Sequence, residues 1–412
     1  MTTTVDTPAP IAPFTPDSRQ AWIRLALALL IGAVGSVGMW SVVVALPVVQ
    51  LDFGGTRGAA SLAFTAVMLG FGAGGVVTGR LADRFGIVAA VGISVIGAVA
   101  GYLIAGLAPN LSVFIAAHFL IGFGSSATFG PLMAEASHWF ERHRGIAVTI
   151  AASGNYFGGA VWPPVVNAMM ESVGWPTTHI IIGLFCGTAM PAVLLALWMR
   201  MGGNTRQNHD LAPPPRVALP MSNNALTAVL CVAGVACCVA MSMPQVHIVA
   251  YCGDLGYGVA RGAEMLSLML GFGIISRIGS GYLADRIGGL RTLLVGSLAQ
   301  GFALLLYMMF DGLSSLYIIS AMFGLFQGGI VPSYAIIIRD SMPAREAATR
   351  VGIVVSATVI GMSLGGWLSG VIFDMTGSYA AAFAHGFGWN LLNALIVVTL
   401  IWRARPRAAL AT

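Results

Sequence analysis

An arginine stands inside a stretch apolar enough to cross a bilayer. Arg277 is centred in Gly271-Phe-Gly-Ile-Ile-Ser-Arg-Ile-Gly-Ser-Gly281, within a segment expected to span 262 to 284. A charge near a bilayer centre costs at least about 2.5–3.5 kcal/mol on insertion scales, so a residue kept there reads as functional. Arg277 lies eight residues before Asp285, about 12 Å from that polar turn, which is a long reach for snorkelling even by arginine. Its own span carries no Asp or Glu at comparable depth, and Glu135 and Asp340 lie near the ends of theirs. An arginine without a built-in carboxylate is a site for an anion, and its planar fork suits a carboxylate in bidentate geometry. The competing reading is a structural arginine bonded to backbone carbonyls.

Few other side chains within apolar segments could do chemistry. Tyr156 and Tyr334 offer hydroxyl donors to a carboxylate, Asn155 an amide, and Trp40 an apolar wall or gate. His118 could donate to a substrate or titrate near neutral pH; the alternative is a neutral histidine bonded between helices. His247, near the end of its span, reads as a gate contributor or as packing, and His385 as packing. The five cysteines, Cys186, Cys231, Cys237, Cys238 and Cys252, lie in or beside apolar segments without pairing or metal spacing, and read as small buried hydrophobes. No phosphate-binding loop and no zinc-like spacing is present. The chain therefore reads as no enzyme, with no cofactor and no metal, and uphill transport would draw on an ion or solute gradient.

The elements that hold these residues are membrane helices. Of the 412 residues 57% are hydrophobic and 8% charged, against about 25% charged in soluble domains. Each crossing takes about 20 apolar residues. Twelve spans result, at about 22–50, 58–79, 87–107, 111–138, 146–171, 178–199, 223–250, 262–284, 290–310, 315–338, 349–373 and 380–402. The chain has no lysine, and 17 of its arginines fall on the side of the termini against Arg57 and Arg261 on the other. The positive-inside rule puts both termini in the cytoplasm. The basic pI of about 9.1 thus reflects topology, with no nucleic-acid footprint. Residues 1–21 read as a disordered cytoplasmic tail, 22–200 as one six-helix bundle, 201–221 as a cytoplasmic central loop, 222–403 as a second bundle and 404–412 as a cytoplasmic tail.

The two halves repeat. Gly79-Arg-Leu-Ala-Asp-Arg-Phe-Gly86 and Gly281-Tyr-Leu-Ala-Asp-Arg-Ile-Gly288 are 202 residues apart, and Gly154, Gly158 and Gly159 recur as Gly361, Gly365 and Gly366. Such a repeat marks a duplicated transporter fold with its site at the repeat interface. In each octapeptide Gly79 or Gly281 would allow close helix approach, Asp83 or Asp285 would sit at a neighbouring helix N-terminus, and Arg84 or Arg286 would stay at the interface. These six residues read as a conformational latch. Glycine-rich spans 2 and 11 fit helices that meet closely and slide.

With twelve spans and a long central loop, the paired motifs resemble the major facilitator superfamily. Within it, Val246 to Gly256, Arg277 to Gly281, Gly329 to Ala335, Gly38-Met-Trp-Ser and Ser153 to Gly159 resemble the monocarboxylate transporter and oxalate/formate antiporter branch. The resemblance implies an all-α membrane fold of two pseudo-symmetric bundles, alternating access, a monomer, and carboxylate binding by the arginine that matches Arg277. It places Trp40, Tyr156 and Tyr334 on the cavity and His118 where many such proteins carry an embedded arginine. Two departures bear on the substrate. Span 11 lacks the second cation of the antiporter pattern, which favours a monocarboxylate, and the helix 1 lysine and helix 8 aspartate tied to proton coupling correspond to Ala45 or a neighbour and to Gly273. The expectation is a secondary transporter of a small organic anion in a cell inner membrane, with a coupling proton or counter-anion unspecified. The alternatives are an exporter of neutral or hydrophobic compounds and a non-transporting metabolite sensor.

Overall fold

The computed structural model describes residues 15–140, 142–199 and 217–406, so most of the expected tails and central loop lies outside the described residues. Among those residues the architecture is helical throughout, apart from a two-residue pairing of β1 (Val217–Ala218) with β2 (Arg405–Pro406). Eleven continuous runs are long and apolar enough to cross a membrane. One of them, Arg144–Trp198, reverses at Gly174, whose φ of 77° is left-handed backbone that glycine adopts without penalty. It therefore supplies two crossings, and the total is twelve.

We label them α1 (Arg19–Phe53), α2 (Arg57–Phe85), α3 (Ile87–Gly106), α4 (Leu111–His138), α5 (144–173), α6 (175–198), α7 (Asn223–Asp254), α8 (Val259–Ile287), α9 (Gly289–Met309), α10 (Leu313–Ser341), α11 (Ala344–Thr376) and α12 (Tyr379–Arg403). Helix α1 starts three residues before the expected start of the first span. Ser18 caps it by accepting from the Ala21 N–H, and the Asp17 carboxylate accepts from the backbone N–H groups of Arg142 and His143. These bonds fasten residues 17–21 to the turn between α4 and α5.

The duplication is visible in the packing. A Cβ at Gly122 would lie 2.0 Å from the Val67 carbonyl oxygen, and one at Gly324, 202 residues on, would lie 2.0 Å from that of Met269, also 202 on. Gly158 lies against Ser36 and the Ala33 carbonyl as Gly365 lies against Ser242 and the Val239 carbonyl. Small residues at these points let helix backbones touch, which is how membrane helices gain packing energy where lipid offers no hydrophobic driving force.

Helices α4 and α10 are both broken at mid-course, α4 at 126–129 and α10 at 328–329. Pro131 and Pro332 stand just beyond these breaks and remove the N–H groups that would have bonded the carbonyls of Ala127 and Gly328.

Candidate functional site

The two halves meet along α5–α8 and α2–α11. Arg277 sits on the first seam, 7% exposed, with its guanidinium reaching from α8 across to the other half. Its Nη1 donates to the Ala152 carbonyl of α5 at 2.8 Å, and its Nε donates to the Gly328 carbonyl of α10 at 3.5 Å. The latter is the acceptor that Pro332 leaves without a helical donor. The Tyr156 ring of α5 lies under the guanidinium, 4.5 Å from its central carbon. A cation over an aromatic face gains about 0.5–2 kcal/mol, more as water is excluded.

Carbonyl bonding, one of the two expected roles for Arg277, is thus present. It does not neutralise the charge. Among the described residues no carboxylate reaches the guanidinium, whose remaining side-chain partner is Tyr156. The site therefore holds a buried cation with no anionic partner among the described residues.

Gly273, one turn before Arg277, is where the resembling transporters hold an aspartate. A Cβ there would lie 2.3 Å from Tyr156 Cε1. The tyrosine ring occupies the space that a side chain at 273 would need.

Of the residues expected to surround the anion, the structure sets Tyr156 against Arg277 and joins Trp40 to Asn155, the residue before Tyr156 on α5. Trp40 Nε1 donates to both the backbone and the side-chain oxygen of Asn155, at 3.3 and 3.2 Å, and thereby ties α1 to the α5 turn that carries Tyr156. Ser267 of α8 donates to the Ala160 carbonyl on the same seam.

His118 and Tyr334 lie elsewhere. His118 is fully buried within the first bundle, its Nδ1 on the Phe114 carbonyl at 2.7 Å and its ring among Phe114 and His179. Tyr334 is buried in the second bundle, where its hydroxyl accepts from Asn393 Nδ2 at 2.6 Å beside Cys237 and Leu293. Tyr334 is hydrogen-bonded inside a bundle core; His118 bonds only within its own helix, not between helices, and its Nε2 has no partner among the described residues.

The six motif residues are placed at the end of the molecule that carries the termini. Gly86 and Gly288 cap α2 and α8 in left-handed backbone, φ 85° and 83°, and return N–H bonds to the carbonyls of Ala82 and Ala284. Asp83, Arg84, Asp285 and Arg286 are exposed; Arg84 lies over Phe85 and Arg286 over Tyr282. The close approach expected at Gly79 and Gly281 is absent in this conformation, since a Cβ at either would meet no atom within 4 Å. At that end both glycines face open space.

At the opposite end the halves are joined. The Asp374 carboxylate of α11 accepts from the backbone N–H groups of Arg57 and Gly58 at 2.8 and 2.7 Å, capping α2 from across the seam. An anion at a helix N-terminus gains about 0.3–1 kcal/mol from the exposed N–H groups and the dipole. The Arg57 side chain bonds Gln50 at 2.7 Å, pairs with Asp254 at 3.0 Å and meets the Tyr379 hydroxyl. His247 lies just inside, its Nε2 on the Gly366 carbonyl at 2.8 Å. Further in, Thr65 donates to the Ser363 carbonyl at 3.0 Å.

Sequence reasoning missed this junction, although Arg57 was one of two arginines opposing the charge bias and so carried a signal. It also missed a buried amide pair: Gln245 Nε2 of α7 donates to Gln327 Oε1 of α10 at 2.8 Å. Glutamines within apolar spans were the available clue.

The family profile described as Major Facilitator Superfamily matches residues 28–323 and 280–411. Monocarboxylate transporter 13 of Bos taurus is 26% identical over 79% of this chain and 76% of its own length. The uncharacterized MFS-type transporter YcxA of Bacillus subtilis is 26% identical over 77% of this chain and 80% of its own. A solved bacterial homolog of the human lysosomal transporter Spinster, inward-facing and unoccupied, superposes with a TM-score of 0.68 at 15% identity, covering 94% of this chain and 96% of that one.

Proposed function

Because the chain belongs to the major facilitator superfamily, we propose that it is a secondary transporter whose substrate is a small organic anion, a monocarboxylate, bound by Arg277. The observation that carries this reading is the buried guanidinium on the seam between the halves, with no carboxylate among the described residues to neutralise it. A buried charge without a partner is costly, and a carboxylate entering from the open end supplies the missing charge with two parallel N–H···O bonds. The relatives named monocarboxylate transporter 13 support the substrate class.

With the termini in the cytoplasm of a cell with an inner membrane, the open end faces inward and the Arg57–Asp374–Asp254 junction closes the outer side. The exposed Asp83–Arg84 and Asp285–Arg286 pairs then serve as the latch for the opposite state, in which the inner ends close. Each protomer carries a complete site between its own halves, in keeping with a monomer.

The test is uptake of labelled lactate into proteoliposomes, with and without an inward proton gradient, alongside Arg277→Ala. Gradient-driven accumulation that the variant abolishes supports the carboxylate carrier with proton coupling. Uptake only into vesicles preloaded with an anion supports exchange instead. Wild-type affinity in Arg277→Ala, with the protein folded, overturns the assignment.

A further inference from the structure

Gln245 and Gln327 are 2% and 0% exposed and share one hydrogen bond. That bond uses half of what two amides present to each other. Gln245 Oε1 and Gln327 Nε2 are buried with no partner. Interchanging oxygen and nitrogen in both amides leaves the same result, one free acceptor beside one free donor. Buried polar groups are bonded in the great majority of cases, and such an orphaned pair calls for an explanation.

The pair adjoins the anion site. Gln327 directly precedes Gly328, whose carbonyl takes the Arg277 Nε. It lies between two close contacts of α10 on α8, Gly324 on the Met269 carbonyl and Gly328 on that of Gly273. Gly273 precedes Arg277 by 4 residues on α8, so the amides lie about one helical turn, roughly 5 Å along the helix axis, from the level of the Arg277 backbone toward the closed end. The nearest neighbours on α8 at that level, Met269 and Leu270, are apolar.

We infer that Gln245 and Gln327 form a second recognition point that reads a hydroxyl at the end of the substrate remote from its carboxylate. The inference rests on carboxylate binding by Arg277. A hydroxyl is at once donor and acceptor, so one such group satisfies both orphaned atoms, donating to Gln245 Oε1 and accepting from Gln327 Nε2. A carbonyl satisfies only the donor, and a methyl neither. An axial offset of about one turn, roughly 5 Å, matches a short chain hydroxylated three or four carbons from the carboxyl carbon. A site built to bond a hydroxyl discriminates against the analogue that lacks it, because its own groups are then left unpaired.

The experiment measures binding of 4-hydroxybutyrate and butyrate to the purified full-length protein in liposomes, by competition against a labelled acid. Wild type is expected to bind 4-hydroxybutyrate about tenfold more tightly. Gln245→Leu and Gln327→Leu should each lower that preference to about twofold or less while butyrate binding is retained, which also reports that the site is folded. The isosteric Gln245→Glu provides a second variant of unchanged shape, and it should weaken both acids by placing a carboxylate near their own. Equal affinity for the two acids in wild type, both of them lost in Arg277→Ala, overturns the hydroxyl subsite alone. A preference that persists in both leucine variants does the same. Binding of both acids by Arg277→Ala, or of neither by wild type, overturns the carboxylate reading and this inference with it.

Discussion

At the scale of single residues, the chemistry turns on how one cation is held without being neutralised. Arg277 is fastened by two carbonyls and an aromatic face, which fix its position and leave its charge available. Lysine lacks the fork that reaches Ala152 and Gly328 together, so Arg277→Lys should weaken substrate binding at least tenfold, measured as the half-saturation concentration for uptake. Tyr156 meets the guanidinium with its ring face and also through its hydroxyl. Tyr156→Phe keeps the ring and is expected to stay within about threefold of wild type, while Tyr156→Leu loses the cation–π term as well and about three- to thirtyfold in affinity. A severe loss in Tyr156→Phe would instead mean that the hydroxyl touches the substrate.

Among elements, the breaks in α4 and α10 and the glycine contacts beside them do the positioning. Pro332 frees the Gly328 carbonyl, and Arg277 takes it, so the break in α10 and the arginine of α8 explain one another. Gly122 and Gly324 press on backbone carbonyls that cannot rotate away, whereas Gly79 and Gly281 face open space. Gly122→Ala and Gly324→Ala should therefore each destabilise the protein by about 1–3 kcal/mol, seen as a lower melting temperature in detergent. Gly79→Ala should melt like wild type. If it melts as low as Gly324→Ala, then Gly79 is packed in the state that dominates in solution. The same contrast tells packing glycines from sliding ones, a distinction that the shared glycine content of spans 2 and 11 does not contain.

For the whole molecule, the end-to-end difference is the informative feature. One end is closed by the Arg57, Asp254, Asp374 and Tyr379 junction and the other is open around the two motif turns. Two states exchanged by rocking of the halves must break one set of contacts as they make the other. Removing the charge from the junction should move the population toward the state closed at the motif end. In a background without the five native cysteines, Gly79→Cys reports on that end by its alkylation rate. Adding Arg57→Gln or Asp374→Asn is expected to slow the reaction several-fold, and an unchanged rate would show that the junction does not set the balance. Helix capping by Asp374 ties α2 to α11 through backbone N–H groups, so Asp374→Asn, which weakens the acceptor, should act in the same direction as Arg57→Gln.

Much of this was legible in the chain itself. Hydropathy set the twelve spans, because each crossing must satisfy its backbone internally and face lipid with apolar side chains. The octapeptides 202 residues apart revealed the two halves, and the depth of Arg277 marked the centre of the proposed site. Those are local properties, carried by composition and spacing. What the sequence could not contain is which face of a helix meets which neighbour. It grouped Tyr334 and His118 with Arg277 by depth, and tertiary packing turned both into bundle cores. It marked Gly273 as a missing aspartate, and only the fold put the Tyr156 ring there. Gln245 and Gln327 are 82 residues apart, and Arg57 and Asp374 are 317 apart. Neither pair has a local signature, because a contact between distant segments is decided by the rotation and depth of whole helices, which only their packing against one another fixes.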